Sequence, residues 1–380
     1  MPKKSKTPTP KNRGYRTFMY LSVDRVPDTE FGFWPQTIRR WVGEGFPKDL
    51  ADGLSESMFH HKFNEFIGLD MDEGGAGIPL NTGMNPVFET KVIEEDELTQ
   101  IVRGSDGVVA RRWKSGTQES SIPQYIEFPV KNRADWREMK ERHRLDDPVR
   151  KVPAESIESA RKAAAEGWTV GAGACGFYGA LRNWVGTENL SYMFYDDPEL
   201  VHEMAEHWAE LTLTCLRQVP RDVPIHQFGW WEDMAYRAGP LVSPRTFDEF
   251  FVPCYMAVMD EARKHGCTLS CVDCDGNIHD LVPGWLKTGV NIMFPCEVAA
   301  GTDMFRMRRE FGREVRLQGG IDKKAVAAGR KAIDRELGRI APLLEQGGFI
   351  PHLDHLVPPD ISFADYQYYR EQKKKLIGKT

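Results

Sequence analysis

The chain of 380 residues is 41% hydrophobic and 28% charged, a composition that excludes collagen-like, low-complexity and wholly disordered proteins. Its 50 basic and 56 acidic residues leave a net charge of −6, which gives no reason to expect nucleic-acid binding. Seven cysteines, an odd number, indicate reduced thiols in a cytoplasmic protein rather than a disulfide framework.

The first positions are strongly basic. Six basic residues precede the first acidic residue, Asp24, and they are Lys3, Lys4, Lys6, Lys11, Arg13 and Arg16. We interpret residues 1–20 as a basic, disordered tail. No apolar segment typical of a secretory signal follows them, and the longest weakly polar stretch, 167–181, is too short to cross a bilayer. We therefore predict a soluble protein without membrane contact.

Two elements and an insertion are predicted before residue 168. An aromatic strand covers Thr29 to Trp34, and Pro35 then opens a helix. Residues 88–128 alternate between apolar and polar positions and carry turn signals, which predicts a small antiparallel β-meander. Residues 129–165 are charged and helical in pattern.

From Trp168 onward, strand and helix patterns alternate. The helices begin at capping pairs such as Asp197-Pro198 and Ser243-Pro244. Repeated strand–helix units predict a parallel sheet, and their number favours an α/β fold of the (β/α)8 TIM-barrel type over residues 21–380, interrupted by the β-meander insertion 88–128. Ligands of such barrels bind at the carboxyl ends of the strands. The strand-like runs are 168–174, 224–228, 268–272, 290–294, 314–318 and 348–353.

A glycine motif follows the first of these runs. Gly171, Gly173 and Gly176 match the GxGxxG dinucleotide fingerprint. The acid that should end a second strand about twenty residues later falls in a helical pattern, near Glu188. We therefore favour a tight strand-to-helix turn that lines the barrel mouth, with a dinucleotide site as the alternative.

Three cysteines have the spacing of an iron–sulfur motif. Cys267, Cys271 and Cys274 form CxxxCxxC, which could hold a [4Fe–4S] cluster. The three residues flank a strand-like run, however, and a strand alternates its side chains, so Cys271 and Cys274 would face opposite sides. The context favours packing cysteines over a cluster.

Acidic residues and histidines recur directly after the apolar runs. If the carboxyl ends of the strands meet at one barrel mouth, these side chains come close together. Asp, Glu and His bind Zn²⁺ or similar divalent ions, and they serve equally well in proton transfer. Each one could instead cap a helix or pair with Arg. The series is Glu232, Asp233, Asp273, Asp275, Asn277, Glu297, Asp322, His352, Asp354 and His355.

A set of motifs in this chain resembles the uroporphyrinogen decarboxylase superfamily, and it covers most of the sequence. The resemblance implies a (β/α)8 barrel, and either decarboxylation or methyl transfer to or from corrinoid proteins. Homodimers are common in that superfamily, so a homodimer is one assembly that the resemblance allows. The matching segments are Arg25–Pro27, Tyr195–Val201, Gly239–Pro244, Asp275–Asn277, Leu317–Asp322, Gly347–Pro351 and Asp354–Asp360.

Departures from the family pattern guide the functional prediction. The Arg-rich segment that grips the carboxylates of the tetrapyrrole is absent from Phe31–Arg40, which argues against decarboxylation of uroporphyrinogen. The zinc ligands of related methyltransferases, a His-x-Cys pair and a later Cys, correspond here to Asp273, Asp275 and His355. We interpret these three as ligands of Zn²⁺ or a similar divalent ion, harder than in a thiolate site.

The leading hypothesis is a metal-assisted methyltransferase. It would move a methyl group from a small O- or N-methylated compound to a corrinoid protein, which supplies the corrinoid. The alternative is a decarboxylase or another lyase acting on a carboxylated substrate. For either reaction we expect Glu232, Asp233, Glu297 and Asp322 to be catalytic. The expected substrate-binding residues are Phe33, Trp34, Trp230, Trp231, Asn277 and His352.

Overall fold

A computed structural model of the protein describes residues 8–51, 61–70, 74–114 and 123–379. The strands are β1 Gly75–Ile78, β2 Lys91–Glu95, β3 Thr99–Arg103, β4 Val109–Trp113, β5 Gln124–Glu127, β6 Thr169–Cys175, β7 Gln227–Trp231, β8 Ala235–Tyr236, β9 Gly239–Pro240, β10 Leu269–Asp273, β11 Ile292–Phe294, β12 Arg316–Ile321 and β13 Phe349–Leu353. Seven of them form one parallel sheet in the order β1-β6-β7-β10-β11-β12-β13.

Helices alternate with the strands of this sheet and cover its outer face. They are α1 Arg13–Phe18, α2 Pro35–Gly43, α3 Lys48–Ala51, α4 His61–Ile67, α5 Arg133–Arg142, α6 Ala154–Ala165, α7 Phe177–Val185, α8 Thr187–Asp196, α9 Pro198–Leu216, α10 Pro244–Phe250, α11 Val252–Arg263, α12 Val282–Thr288, α13 Met304–Phe311, α14 Lys323–Ala327, α15 Arg330–Gln346 and α16 Phe363–Leu376. The predicted caps are present, since Asp197 accepts from the Leu200 N–H and Ser243 from the Thr246 N–H. Within the described residues, no helix is long and apolar enough to cross a membrane.

The extended segment 25–33 contacts the last strand of the sheet, where the Leu353 N–H donates to the Glu30 side chain, and it also contacts residues beside both edge strands. On one side, the Asp70 N–H donates to the Asp28 carbonyl at 2.8 Å. On the other, the Val357 N–H donates to the Gly32 carbonyl at 2.9 Å, beside a parallel bridge between Phe33 and Val357. The predicted strand at residues 29–34 is thus extended but forms a ladder contact only at Phe33. The fold is the predicted TIM barrel.

Buried ion pairs fix this segment against the last helix, α16. Asp28 is completely buried and accepts two hydrogen bonds from the Arg370 guanidinium. Lys373, also completely buried, donates to Glu30 at 2.9 Å and to the Thr29 carbonyl at 2.6 Å. These cations hold the pKa of Asp28 far below its usual range, although burial alone would raise it. The segment is therefore fixed where it enters the barrel mouth.

Part of the predicted disordered tail is ordered. Residues 1–7 lie outside the described residues, but α1 closes the amino-terminal end of the barrel, with Phe18 buried against Leu269, Ile292 and Ile350. The Asn12 side chain donates to the Gly74 carbonyl at 2.7 Å and accepts from the Thr169 N–H at 2.9 Å. The tail prediction is wrong for these residues because apolar side chains follow the lysines and fill the end of the barrel.

The predicted insertion is a four-stranded antiparallel sheet, β2-β3-β4-β5. It runs from Lys91 to Glu127, inside the predicted 88–128, and residues 115–122 lie outside the described part. β2 and β5 are exposed along their whole length, so the insertion stands apart from the barrel core.

Candidate active site

The alternation of each strand decides which side chains enter the barrel. On β7, Phe228 and Trp230 are buried under the helices, so Gln227, Gly229 and Trp231 face the interior. The inward-facing positions continue onto the neighbouring parallel strand, because Trp231 is level with Asp273 on β10. Asp273 in turn is level with Phe294 on β11. The carboxyl ends of these strands therefore bring Trp231, Asp273 and Phe294 together at the mouth.

His355 and Asp275 form an ion pair at this mouth. The distance between His355 Nε2 and Asp275 Oδ2 is 3.3 Å, and the second oxygen of Asp275 is buried without a hydrogen-bond partner. Burial alone would lower the pKa of His355, but the hydrogen bond and the charge of Asp275 outweigh it and raise that pKa above its ordinary value. The raised pKa increases the fraction of His355 that carries a proton near neutral pH, and that proton can be donated.

Asp273 lies beside this pair and is held neutral more easily than an exposed acid. Burial, followed by the negative charge of Asp275, raises the pKa of Asp273 to about 7. His355 acts in the opposite direction. Asp273 and Asp275 therefore lie close enough to interact. A carboxyl group with such a pKa exchanges protons near neutral pH.

A second cluster surrounds Lys323, which the sequence reasoning missed. Its Nζ lies 2.8 Å from Glu297 and 3.4 Å from the fully buried Asp354. Burial would lower the pKa of Lys323, but these two carboxylates raise it. Glu297 also accepts from the Gly276 N–H at 3.1 Å, which ties this cluster to the loop after β10. In the sequence, the only indication that Lys323 belongs to the site was its position directly after Asp322.

Asp233 is paired with a second cation. The Arg182 guanidinium donates to the Asp233 carboxylate at 2.6 Å and to its backbone carbonyl at 3.0 Å. The same guanidinium lies 5.2 Å from the centroid of the Trp231 ring, which is 40% exposed. Asp233 adopts a left-handed backbone conformation with φ of 72°, which is uncommon for a residue with a side chain. Arg182 thus holds the strained turn that ends β7.

Aromatic rings enclose His355. The Trp34 ring stacks on it, with centroids 6.1 Å apart and planes at 17°. Phe31 meets it edge-on at 5.4 Å and contacts Phe294 at 4.5 Å. Stacking on an aromatic face favours the protonated imidazole. Phe31 was not predicted as a site residue, because the sequence does not show which side chains of the extended segment 25–33 face the barrel mouth.

Three predicted site residues lie in the core instead of the mouth. Phe33 is 5% exposed and packs on Trp41 and Phe63, and Trp230 is 3% exposed beneath the helices. Glu232 is completely buried and accepts from the Tyr255 hydroxyl and the Gly179 N–H. Burial raises the pKa of Glu232 to about 7, against these hydrogen bonds. Glu232 fixes the start of α7, because it sits one residue beyond the last inward position of β7.

Three further predicted residues have local structural roles. Asp322 caps α14 by accepting from the Lys324 N–H at 2.8 Å. Asn277 lies in the loop above the site, where its side-chain oxygen is 3.4 Å from the His279 N–H. His352 is 1% exposed, and burial lowers its pKa to about 4, so it is neutral near pH 7. Its ring lies 5.6 Å from Phe294, below the mouth.

The predicted metal ligands do not assemble a metal site in this structure. His355 lies 3.3 Å from Asp275, and it would have to lose its proton to bind a metal. Among the described residues, no three His, Cys, Asp or Glu side chains are grouped as a metal ion requires. The zinc prediction stays a prediction, and no chemical step below depends on it.

The two motif alternatives can be placed as well. Cys271 lies in the barrel interior beside the α1 contact, whereas Cys267 and Cys274 pack in the outer core, so the three thiols do not face one point. Gly171 and Gly173 are on β6, and Gly176 directly precedes α7. Glu188 lies in the following helix, α8, rather than at the end of a strand. The glycine motif is a strand-to-helix turn.

The fold and this site define a TIM-barrel protein whose acidic residues gather at the carboxyl ends of the strands. The family model described as uroporphyrinogen decarboxylase (URO-D) matches residues 115–375, more than half of the chain. The protein therefore belongs to the uroporphyrinogen decarboxylase family, as its sequence motifs predicted. Among curated proteins, no sequence matches this chain at a significant level.

Two solved structures are similar to this one. A methyltransferase from Methanosarcina mazei has 13% sequence identity and a TM-score of 0.53, and the match covers 96% of this chain and 99% of that protein. A B12-independent methionine synthase from Shewanella sp. W3-18-1 has 11% identity and a TM-score of 0.36, with 98% and 97% covered. At this level of identity, the first similarity supports the barrel fold alone.

Proposed function

We propose that this protein is a methyltransferase that moves a methyl group from a small O- or N-methylated compound to a reduced corrinoid protein. The observation that carries the proposal is the His355–Asp275 pair at the barrel mouth. It places an imidazole with a raised pKa, next to a carboxylate, where TIM barrels bind their substrates. The proposal rests on this proton donor and on the charge of the mouth around it.

The proton is needed by the leaving group. In the transfer, the bond between the methyl carbon and the oxygen or nitrogen breaks, and a bond from that carbon to cobalt(I) of the corrinoid substrate forms. The heteroatom keeps the bonding electron pair and takes a proton from His355 Nε2. Asp275 stabilises the imidazolium before transfer, and Asp273, with a pKa of about 7, can return a proton to the pair.

The charge of the mouth disfavours a polycarboxylate substrate. The arginine and lysine side chains that contact its acids in the described part of the chain are already paired, Arg182 with Asp233 and Lys323 with Glu297. Binding of a tetrapyrrole with many carboxylates requires guanidinium groups that are free to form paired hydrogen bonds. An acidic mouth repels such a substrate, which is why methyl transfer ranks above decarboxylation.

The test is direct methyl transfer. The purified protein is mixed with O- and N-methylated donors and a corrinoid protein reduced to cobalt(I), with free cob(I)alamin as a second acceptor, while the cobalt absorption spectrum is recorded. His355→Gln should lower the rate roughly a hundredfold or more, the usual contribution of a general acid. The wild-type rate should fall at high pH, as the imidazolium is lost. In Asp275→Asn this fall should begin at lower pH, because the carboxylate raises the pKa of His355.

A matched control separates this role from general damage. His202→Gln makes the same change at a residue stacked on Phe250 in the outer helices, and it should leave the rate unchanged. Transfer from none of the donors, together with release of coproporphyrinogen from uroporphyrinogen, would establish the decarboxylase alternative. A stoichiometric metal ion lost in both Asp273→Ala and His355→Ala would contradict the proton-donor role and support the zinc prediction.

A further inference from the structure

Among the described residues, one side of the barrel interior is poor in side chains. Four inward positions on three adjacent strands are glycines, Gly77 on β1, Gly171 and Gly173 on β6, and Gly229 on β7. The register places them side by side, with Gly77 level with Gly171 and Gly173 level with Gly229. TIM-barrel interiors are normally filled by layers of bulky branched residues. The glycines replace those layers with bare backbone.

A cavity of about 590 Å³ occupies this space. That volume falls in the range of small-molecule sites, roughly 300–1,000 Å³. The lining residues carry no charge, and the polar side chains among them are Gln227, Thr169 and Ser156. Such a surface binds an uncharged molecule, because a charge moved there from water would have no partner.

Two of the glycines are not explained by the needs of the fold. A Cβ at Gly173 would lie 2.8 Å from the Gly229 carbonyl oxygen, so the sheet itself requires glycine there. A Cβ at Gly77 or at Gly229 would meet nothing within 4 Å, and neither residue has a left-handed backbone that demands glycine. The missing side chains at these two positions leave open space rather than relieving strain.

The cavity and the acid–histidine site are connected through the neighbouring strands β7 and β10. Gly229 is level with Cys271 on β10, and two residues further along the same strands Trp231 is level with Asp273. Two residues of a strand span about 6.6 Å, close to the length of a six-membered ring with one substituent. A molecule seated against Gly229 therefore extends to the layer of Asp273.

We propose that the glycine-lined cavity binds the uncharged, ring-shaped body of the methyl donor, and that Gly77 and Gly229 set the size it accepts. A flat ring packs fully against a wall of bare backbone, with the Gln227 amide as a polar partner. The methylated heteroatom then points to the layer of Asp273, which makes neutral aryl methyl ethers the substrate class. The identification of the bound molecule as the methyl donor rests on the function proposed above, whereas the existence of the binding site does not.

Binding is tested without any corrinoid or turnover. Anisole, a methoxybenzene, is titrated into the full-length protein and followed by isothermal calorimetry and ligand-observed NMR. Gly229→Leu and Gly77→Leu each place a side chain in the open space and should weaken anisole binding roughly tenfold or more. Gly338→Leu is the matched control, since Gly338 is exposed on α15 with nothing within 4 Å. 4-Methoxybenzoate should bind at least about tenfold more weakly than anisole, because its charge has no partner in the cavity.

The outcomes separate this proposal from the proposed function. Circular dichroism and melting curves first establish that the two leucine variants fold. Loss of anisole binding in both of them but not in Gly338→Leu supports the site, even if no donor transfers its methyl group. Anisole binding that is absent, or equal in all variants, overturns the site. Methyl transfer from aryl ethers that is unaffected by Gly229→Leu and Gly77→Leu also overturns it, while leaving the methyltransferase intact.

Discussion

Replacing Asp273 by asparagine should stabilise the protein at alkaline pH. The pKa of this carboxyl is about 7 in the folded protein and 3.8 in an unfolded chain, so the folded state holds its proton over that interval. Folding therefore becomes less favourable as the pH rises from about 4 to 7, and the penalty is constant above. The difference between the two pKa values corresponds to roughly 4 kcal/mol. Because Asp273 is only partly shielded from water, we expect Asp273→Asn to raise the free energy of unfolding at pH 8 by about 2 to 4 kcal/mol.

Urea unfolding at pH 5 and at pH 8, followed by tryptophan fluorescence, measures this difference. At pH 5 most of the penalty is absent, so Asp273→Asn should gain no more than about 1 to 2 kcal/mol there. Asp322→Asn is the control, because asparagine caps a helix about as well as aspartate and should change neither value. A gain from Asp273→Asn that is the same at both pH values, or a loss at pH 8, would refute the conclusion that burial and the charge of Asp275 raise the pKa of Asp273.

Three further predictions concern the parts that hold the site, each read from urea or thermal unfolding. Asp28→Asn removes one charge from the buried network with Arg370, so we expect a loss of about 3 to 5 kcal/mol. Tyr255→Phe leaves the buried Glu232 without its hydroxyl donor and should cost about 1 to 3 kcal/mol. Asn12→Ala breaks both hydrogen bonds at the closed end of the barrel and should cost about 1 to 3 kcal/mol, with faster amide exchange at Thr169.

The fold was predictable where local signals agree with the tertiary structure. Capping residues located the start of α9 and α10, because an N-cap side chain satisfies orphan N–H groups in any context. Apolar runs placed four strands of the sheet, β6, β10, β11 and β13, within two residues of both bounds. The run at 314–318 ends three residues before β12 does, and β7 begins at Gln227, three residues later than the run at 224–228. Apolar residues lie both before and after the start of β7, so hydrophobicity alone does not show where the strand begins.

The site was harder to predict, because one residue of register decides which face a side chain takes. Glu232 and Asp233 are neighbours after β7, yet Glu232 is buried under α7 while Asp233 reaches the mouth. Likewise Phe31, not Phe33, touches His355. Asp273 and Asp275, two residues apart at the end of β10, are close enough for the charge of Asp275 to raise the pKa of Asp273.

The glycines that made part of the sheet hard to predict are also the residues that leave space in the barrel interior. No strand was predicted at β1, since Gly75–Ile78 offers little β-propensity, and each glycine in a strand costs roughly 0.5 to 1 kcal/mol relative to alanine. Parallel pairing with β6 holds this weak edge strand in place. Natural sequences break local rules mainly where function requires it. β1 has a low β-propensity, is held by its neighbours and borders empty space at Gly77. This combination supports the conclusion that the cavity binds a ligand.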